Sequence, residues 1–212
     1  MTVVLSIRRP RISREVVDAA AGTVRKGGIL LYPTDTIYGL GGNALDGRVV
    51  ERIFAVKRRR EDKPVLVLVP NRRSVGSLVS EISPLARRLM KQFWPGPLTI
   101  LLPARGSVHP LLKGNSEKIG IRIPDNRFCL RLLSACSLPL VSTSANFSGG
   151  RQADSFVVLR RQFTGHVDLI IDAGDVESPV PSTIVDVTSG RIEIVREGAI
   201  PARAFLHLAQ VR

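Results

Sequence analysis

A run of cationic side chains is the part of the sequence best suited to chemistry on an anion. Lysine and arginine occupy most of the segment Lys57–Lys63, directly before the apolar run Val65–Val69. Cations at the end of a helix complement its dipole, which is the simplest structural interpretation. This run carries more charge than a helix end needs, and guanidinium and ammonium donors are what a triphosphate requires when no phosphate-binding loop exists.

Two segments rich in hydroxyl groups follow predicted strands. Pro33–Leu40 contains three hydroxyls and a carboxylate, and Ser142–Gly150 contains hydroxyls and an amide. Ligand sites in open α/β sheets lie beyond the carboxyl ends of strands, so these groups suit a small polar or anionic ligand. The alternative is that each segment is a turn whose side chains satisfy only the local backbone.

Three single residues extend this polar set. Arg122 interrupts an apolar strand pattern, so it lies either on a solvent face or at an internal anion site, while Ser182 and Arg196 flank the last two strand patterns. Together the polar residues contain no acid–base pair. The pattern therefore favours binding and alignment of anionic reactants over hydrolytic chemistry.

Signatures of other enzyme classes are missing from the sequence. It contains no Walker A, G-x-S-x-G, S-x-x-K or H-E-x-x-H motif and no carboxylate cluster for a protein-built metal site. Gly39–Ala44 matches the dinucleotide fingerprint G-x-G-x-x-A, but polar residues separate it from the preceding strand and the next helix begins only after Asp46. We interpret these glycines as positions of close backbone packing.

The hydrophobic pattern predicts helices and strands that alternate along the chain. Helices are expected after the capping residues Ser13, Asp46 and Ser83, and over Phe128–Leu133, Phe156–Phe163 and Pro201–Leu208. Strands are expected at Ile29–Tyr32, Val65–Val69, Leu98–Leu102, Ile119–Ile123, Leu140–Thr143, Leu169–Asp172, Thr183–Val187 and Ile192–Val195. This order predicts one α/β domain over residues 1–212, with its core at about 13–200 and a twisted, open, mixed or parallel sheet flanked by helices.

The amino-acid composition and the net charge limit the possible functions further. The 212 residues are 44% hydrophobic, with no apolar run near the roughly 20 residues of a membrane helix, and two cysteines fit a reducing cytoplasm. The 31 Lys and Arg residues against 18 Asp and Glu give a net charge of +13, which favours anionic partners. A double-stranded RNA-binding module without catalysis is therefore one alternative, although the arginine excess also fits a GC-rich genome.

Seven motifs resemble those of the YrdC/Sua5 family of L-threonylcarbamoyladenylate synthases, in its short single-domain form. They lie in family order at Pro33–Leu40, Lys57–Pro64, Trp94–Thr99, Arg122–Pro124, Ser142–Gly149, Pro181–Ile184 and Arg196–Gly198. The resemblance implies that L-threonine, bicarbonate and ATP, with its Mg²⁺, give threonylcarbamoyl-AMP, pyrophosphate and water. A partner transferase complex would then modify adenosine 37 of tRNA. A same-fold relative that uses another acceptor is a further alternative.

The resemblance also assigns roles to individual residues. It implies threonine binding by Thr36, Arg122, Ser142 and Ser182, ATP binding by Arg59, Lys63, Ser144, Gln152 and Arg196, and catalytic roles for Lys57 and Arg59. Two positions depart from the family pattern. Gln152 is a less usual residue for its nucleotide contact, and Leu68 stands where some relatives have a histidine that touches threonine, so amino-acid selectivity is expected to depend on it.

Overall fold

Ten strands form one mixed sheet in this computed structural model, which describes residues 1–8, 12–147, 155–176 and 180–209. The strands are β1 Val3–Ser6, β2 Leu30–Tyr32, β3 Gly39–Gly41, β4 Leu66–Leu68, β5 Leu98–Pro103, β6 Lys118–Arg122, β7 Leu140–Ser144, β8 Leu169–Asp172, β9 Thr183–Asp186 and β10 Glu193–Arg196. Their order across the sheet is β1-β8-β2-β3-β7-β4-β6-β5-β9-β10. Parallel pairs such as β4·β6 and antiparallel pairs such as β4·β7 both occur, which confirms the predicted mixed sheet.

Seven α-helices lie within the described residues. They are α1 Arg14–Arg25, α2 Gly47–Lys57, α3 Pro84–Phe93, α4 Pro110–Lys113, α5 Arg127–Cys136, α6 Phe156–Phe163 and α7 Leu206–Ala209, with 3-10 turns at Arg72–Ser77 and Ala202–Phe205. The predicted caps are confirmed, because the side chains of Ser13, Asp46 and Ser83 each accept a hydrogen bond from a first-turn amide. In the described part of the chain, no helix has the length and apolar character needed to cross a membrane.

Helices pack on both faces of the sheet, but they cover one of the two faces only in part. Val67, Ile121 and Val141 point to one face, where they join a core with side chains from α2, α3 and α6. Leu68 and Leu140 point to the other face and pack under α1 and α5. Because strand side chains alternate, the partners of Leu68 and Leu66 across β4–β6, Arg122 and Gly120, share this second face. Beyond α1 and α5 this face is open.

Two short strands were not predicted, and one of them explains the glycine-rich segment. β1 pairs in parallel with β8 at one edge, and β3 runs antiparallel between β2 and β7. A Cβ on Gly41 would lie 2.2 Å from the carbonyl oxygen of Val141, so only glycine allows β7 to approach so closely. The prediction of close backbone packing at these glycines is confirmed, whereas their place in a strand was missed.

Candidate functional site

The open part of the sheet face forms a pocket of about 240 Å³. Its floor comes from alternate residues of neighbouring strands, including Leu66 of β4, Gly120 of β6 and Leu101 of β5. The loop after β2 and the segments beside β9 and β10 form its walls. Most of the predicted site residues line this one pocket: Thr36, Arg59, Arg122, Ser142, Ser144, Ser182 and Arg196.

Arg122 is the buried cation at one end of the pocket, with only 3% of the residue exposed. Its Nε donates to the Gly96 carbonyl at 3.0 Å, one terminal nitrogen donates to Thr36 Oγ1 at 3.1 Å, and the other pairs with Asp35. Guanidinium carries five N–H donors, so these three bonds leave one donor on each terminal nitrogen. Two parallel donors are what a carboxylate accepts in a bidentate contact.

The turn after β2 places both partners of Arg122. Thr34 Oγ1 accepts from the amides of Thr36 and Ile37 and donates to the Ile37 carbonyl at 2.7 Å. This local capping explains why a hydroxyl stands at Thr34, as the turn interpretation of the segment predicts. The turn also places Asp35 and Thr36 next to the Arg122 guanidinium. The segment is therefore both a turn with its own internal hydrogen bonds and a wall of the site.

Hydroxyl groups from three strands surround this end of the pocket. Tyr32 donates to Ser142 Oγ at 3.0 Å, which leaves the Ser142 hydroxyl proton free to point elsewhere. Burial raises the pKa of Tyr32 well above its ordinary value, so the phenol remains a donor. On the opposite wall, Ser182 Oγ lies 2.9 Å from Thr99 Oγ1, and Arg196 donates to the Ser182 carbonyl at 2.7 Å.

Arg59 and Ser144 line the other end of the pocket. The chain turns through a left-handed conformation at Arg58 (φ 51°), directly after α2, and this turn directs Arg59 toward β4. There its guanidinium donates to the carbonyls of Lys63 and Pro64 at 2.7 and 2.8 Å. Ser144 ends β7, two residues beyond the Ser142 that pairs with Leu66 in β4, so it lies beside the same corner of the sheet.

Three predicted contacts differ in the structure or lie outside it. Lys63 is exposed and does not line the pocket, and only its backbone carbonyl contacts Arg59. Lys57 does not line the pocket either: α2 buries its side chain to 1% exposure, against the loop after β7. Gln152 lies outside the described residues. Leu68 packs under α1 and α5 and is not part of the pocket wall.

The electrostatics of the pocket favour an anion. Within the described residues neither Arg59 nor Arg196 forms an ion pair, whereas Arg122 pairs with Asp35 and Lys118 pairs with Asp186. Burial lowers the pKa of Arg59, and burial together with the nearby Arg122 charge lowers the pKa of Arg196. Burial disfavours the charged form of both groups, so an anionic ligand would stabilise the two guanidinium groups that have no ion-pair partner among the described residues. The described residues contain no group of three or more His, Cys, Asp or Glu side chains placed to hold a metal.

The buried Lys57 makes stability depend on pH in a defined direction. Burial, and secondarily the Arg59 charge, lower the pKa of Lys57 to about 7 from the ordinary value of 10.5. Between these two pH values the unfolded chain binds a proton that the folded protein lacks, so the free energy of unfolding should rise with pH. Urea unfolding at pH 6, 8 and 9.5 checks this. The increase should be smaller in Lys57→Met, and an equal increase in both proteins would contradict it.

Sequence reasoning missed two polar contributors to the site. The sequence gives Asp35 no role beyond its place in a polar segment, yet it is the ion-pair partner of Arg122, and its second carboxylate oxygen is buried without a hydrogen-bond partner among the described residues. Thr99 ends the motif Trp94–Thr99, but nothing in the sequence indicates that its hydroxyl group contacts Ser182. The signal for Asp35 was its position between two threonines that both face the site.

The fold and the pocket together define an α/β protein with a cationic pocket on an open sheet face, and comparisons identify its family. The family model Sua5/YciO/YrdC, described as "Telomere recombination", matches residues 22–198. The threonylcarbamoyl-AMP synthase of Pyrococcus abyssi is 35% identical over 201 residues, which cover 95% of this chain and 59% of that protein. This chain belongs to the Sua5/YciO/YrdC family.

Solved structures agree with this assignment. The crystal structure of P. abyssi Sua5 complexed with L-threonine has a TM-score of 0.92 and 32% identity, and the match covers 99% of this chain and 61% of that chain. The structure of E. coli YciO has a TM-score of 0.85 and 28% identity, with 97% and 99% covered. The chain thus spans about three fifths of the length of the P. abyssi relative.

Proposed function

We propose that this protein is an L-threonylcarbamoyladenylate synthase, a nucleotidyl-transferring enzyme. L-Threonine, bicarbonate and ATP would give threonylcarbamoyl-AMP, pyrophosphate and water. The observation that carries the proposal is one pocket lined by three guanidinium groups, Arg59, Arg122 and Arg196, of which Arg59 and Arg196 form no ion pair among the described residues. Relatives named as threonylcarbamoyl-AMP synthases, and the structure of P. abyssi Sua5 complexed with L-threonine, support the same activity.

The threonine end of the pocket would be the one around Arg122. The free guanidinium donors would hold the carboxylate, and the hydroxyls of Thr36, Ser142 and Ser182 would hydrogen-bond the other polar groups. All four residues are buried, with 3–6% exposed, so these bonds would form in a site of low dielectric, where they are stronger than in water. The threonine amine forms a carbamate with the CO₂ unit, and the carbamate oxygen then attacks the α-phosphorus of ATP.

ATP would be held by Arg59 and Ser144 at the other end of the pocket and by Arg196, which lies beside Ser182 near Arg122, with Mg²⁺ carried on the phosphates. Joining a carbamate to a triphosphate brings two anions together, so fixed cations on both sides would offset their repulsion. The pocket supplies this alignment without an obvious acid–base pair. Lys63 and Gln152, which the family resemblance also assigns to ATP, remain predictions for the bound state.

The product of the proposed reaction implies a partner enzyme that consumes it. A threonylcarbamoyl adenylate is an activated acyl phosphate, so a transferase that passes the group to tRNA adenosine 37 would consume it. We place this reaction in the cytoplasm, where both cysteines are expected as the free thiols seen at Cys129 and Cys136. The net charge of +13 would assist an encounter with tRNA, and direct RNA binding would weaken steeply as salt is raised.

Pyrophosphate release by the purified chain tests the proposed function. We expect release from ATP that requires both L-threonine and bicarbonate, with threonylcarbamoyl-AMP detected by mass spectrometry. Serine and valine serve as control amino acids, because the first lacks the methyl group and the second the hydroxyl. Pyrophosphate release that does not depend on threonine and bicarbonate would contradict the proposal. A clear preference for another amino acid would instead favour a same-fold relative with another acceptor.

The division of the pocket into two ends also predicts how a substitution changes the KM for ATP. Arg59→Met should raise the KM for ATP by about tenfold or more, because a charge-assisted contact contributes about 1.5–3 kcal/mol. The KM for threonine should change much less. Arg60→Met is the matched variant: it removes an exposed arginine of the same segment that pairs with Asp62 and does not line the pocket, and its effect should be smaller. Steady-state kinetics with each substrate varied in turn would measure this, and equal effects of Arg59→Met on both substrates would contradict the division of the pocket.

A further inference from the structure

Lys57 forms a complete set of hydrogen bonds to a single turn. Its ammonium group is buried at the end of α2, where an unpartnered charge would be very unfavourable. It donates to the carbonyl of Ser144, to the carbonyl of Asn146 at 2.7 Å and to Asn146 Oδ1 at 3.2 Å. When Lys57 is charged, its three N–H donors therefore meet three acceptors, which belong to Ser144, the last residue of β7, and to Asn146 in the turn that follows.

The same turn fixes a side chain that lines the pocket. Ser144 Oγ donates to Asn146 Oδ1 at 2.5 Å, so this amide oxygen accepts from both Ser144 and Lys57. The chain of contacts runs from the buried Lys57 through Asn146 to Ser144, and Ser144 lies at the end of the pocket where Arg59 is found. Lys57 itself stays outside the pocket wall. Its influence on a ligand must therefore pass through the turn.

We propose that Lys57 is a positioning residue that holds the Ser144–Asn146 turn against α2, and so fixes Ser144 at the ATP end of the pocket. The part of this inference that concerns ATP rests on the proposed function, whereas the anchoring of the turn does not. Arg58, which has a left-handed backbone conformation, separates two residues of the cationic segment that have different roles. Lys57, before it, anchors the turn, and Arg59, after it, faces the ligand.

Hydrogen exchange without any substrate tests the anchoring directly. Lys57→Met keeps the length of the side chain but removes its donors, and Lys57→Arg restores a charged donor. Peptides that cover residues 140–147 should exchange about tenfold faster in Lys57→Met than in the wild type, with partial recovery in Lys57→Arg. Lys91→Met, which removes an exposed helical lysine, is the matched control. Exchange in Lys57→Met equal to that of Lys91→Met would overturn the proposal. If Lys57→Met does not fold, Asn146→Ala takes its place and should loosen the same peptides.

A double-mutant cycle tests the link to ATP. Lys57→Met should raise the KM for ATP about tenfold and leave the KM for threonine within about twofold, whereas mere loss of folded protein would lower only the apparent kcat. In a Ser144→Ala background the Lys57→Met effect on the ATP KM should shrink to less than about twofold, because the residue it positions is gone. A full tenfold effect in that background would overturn the proposal. An inactive wild type would refute the proposed function alone, since the exchange result would still decide the anchoring.

Discussion

Replacing Arg122 with alanine is expected to raise the KM for L-threonine about 100-fold, while the KM for ATP changes much less. A bidentate contact between a carboxylate and a buried guanidinium contributes about 3 kcal/mol, and alanine removes all of it. The same substitution leaves Asp35 buried without its partner, so the free energy of unfolding should fall by about 3–5 kcal/mol. Steady-state kinetics and urea unfolding of the same preparation measure both effects.

A double variant separates the two effects of this substitution. Arg122→Met combined with Asp35→Asn removes both charges of the ion pair, so most of the lost stability should return. Threonine binding should remain as weak as in the alanine variant, because no carboxylate partner is restored. If the double variant is stable and binds threonine as the wild type does, Arg122 is not the carboxylate site.

Gly41→Ala is expected to destabilise the sheet itself. Its Cβ would lie 2.2 Å from the Val141 carbonyl and 2.9 Å from the Tyr32 ring, and neither neighbour can move freely in the middle of the sheet. Overpacking of this kind costs about 3 kcal/mol, which for a chain of this size lowers Tm by roughly 6–12 °C. The strands that would separate include β7, which carries Ser142 and Ser144, so activity should fall with stability.

Gly22 offers a matched control in the same chain. It lies inside α1, and a Cβ there would meet nothing within 4 Å. Gly22→Ala should therefore raise the free energy of unfolding by about 1 kcal/mol, since glycine inside a helix is less favourable than alanine. Thermal unfolding of both variants compares the positions. A Gly41→Ala protein as stable as Gly22→Ala would show that β3 does not pack as closely as the structure has it.

Local signals in the sequence were sufficient for the helices and for most of the sheet. Ser13, Asp46 and Ser83 cap helices as predicted, because capping depends on residues within one turn. The strands β1 and β3 escaped prediction for different reasons. β1 has only four residues at the start of the chain, and two of the three residues of β3 are glycine, which has low strand propensity. Only the pairing of β3 with β2 and β7 makes it a strand.

The residue types of the site were predictable from sequence, but their contacts were not. Arg122 was recognised as a buried anion site or a surface residue, and the choice between these depended on a partner 87 positions away, Asp35. Lys57 looked like one more cation in a charged run. Its burial follows from the packing of α2 against the turn after β7, which no local pattern encodes. Long-range packing thus buries one residue of the charged segment, Lys57, and places another, Arg59, in the pocket.

A crystal structure of the protein soaked with L-threonine and a non-hydrolysable ATP analogue would test the two-ended pocket most directly. We predict that the threonine carboxylate lies within hydrogen-bond distance of both terminal nitrogens of Arg122, with its hydroxyl and amine near Ser142 and Ser182. The phosphates should contact Arg59 and Arg196. Threonine bound elsewhere, with Arg122 engaged only by Asp35, or phosphates away from Arg59, would contradict the proposed arrangement.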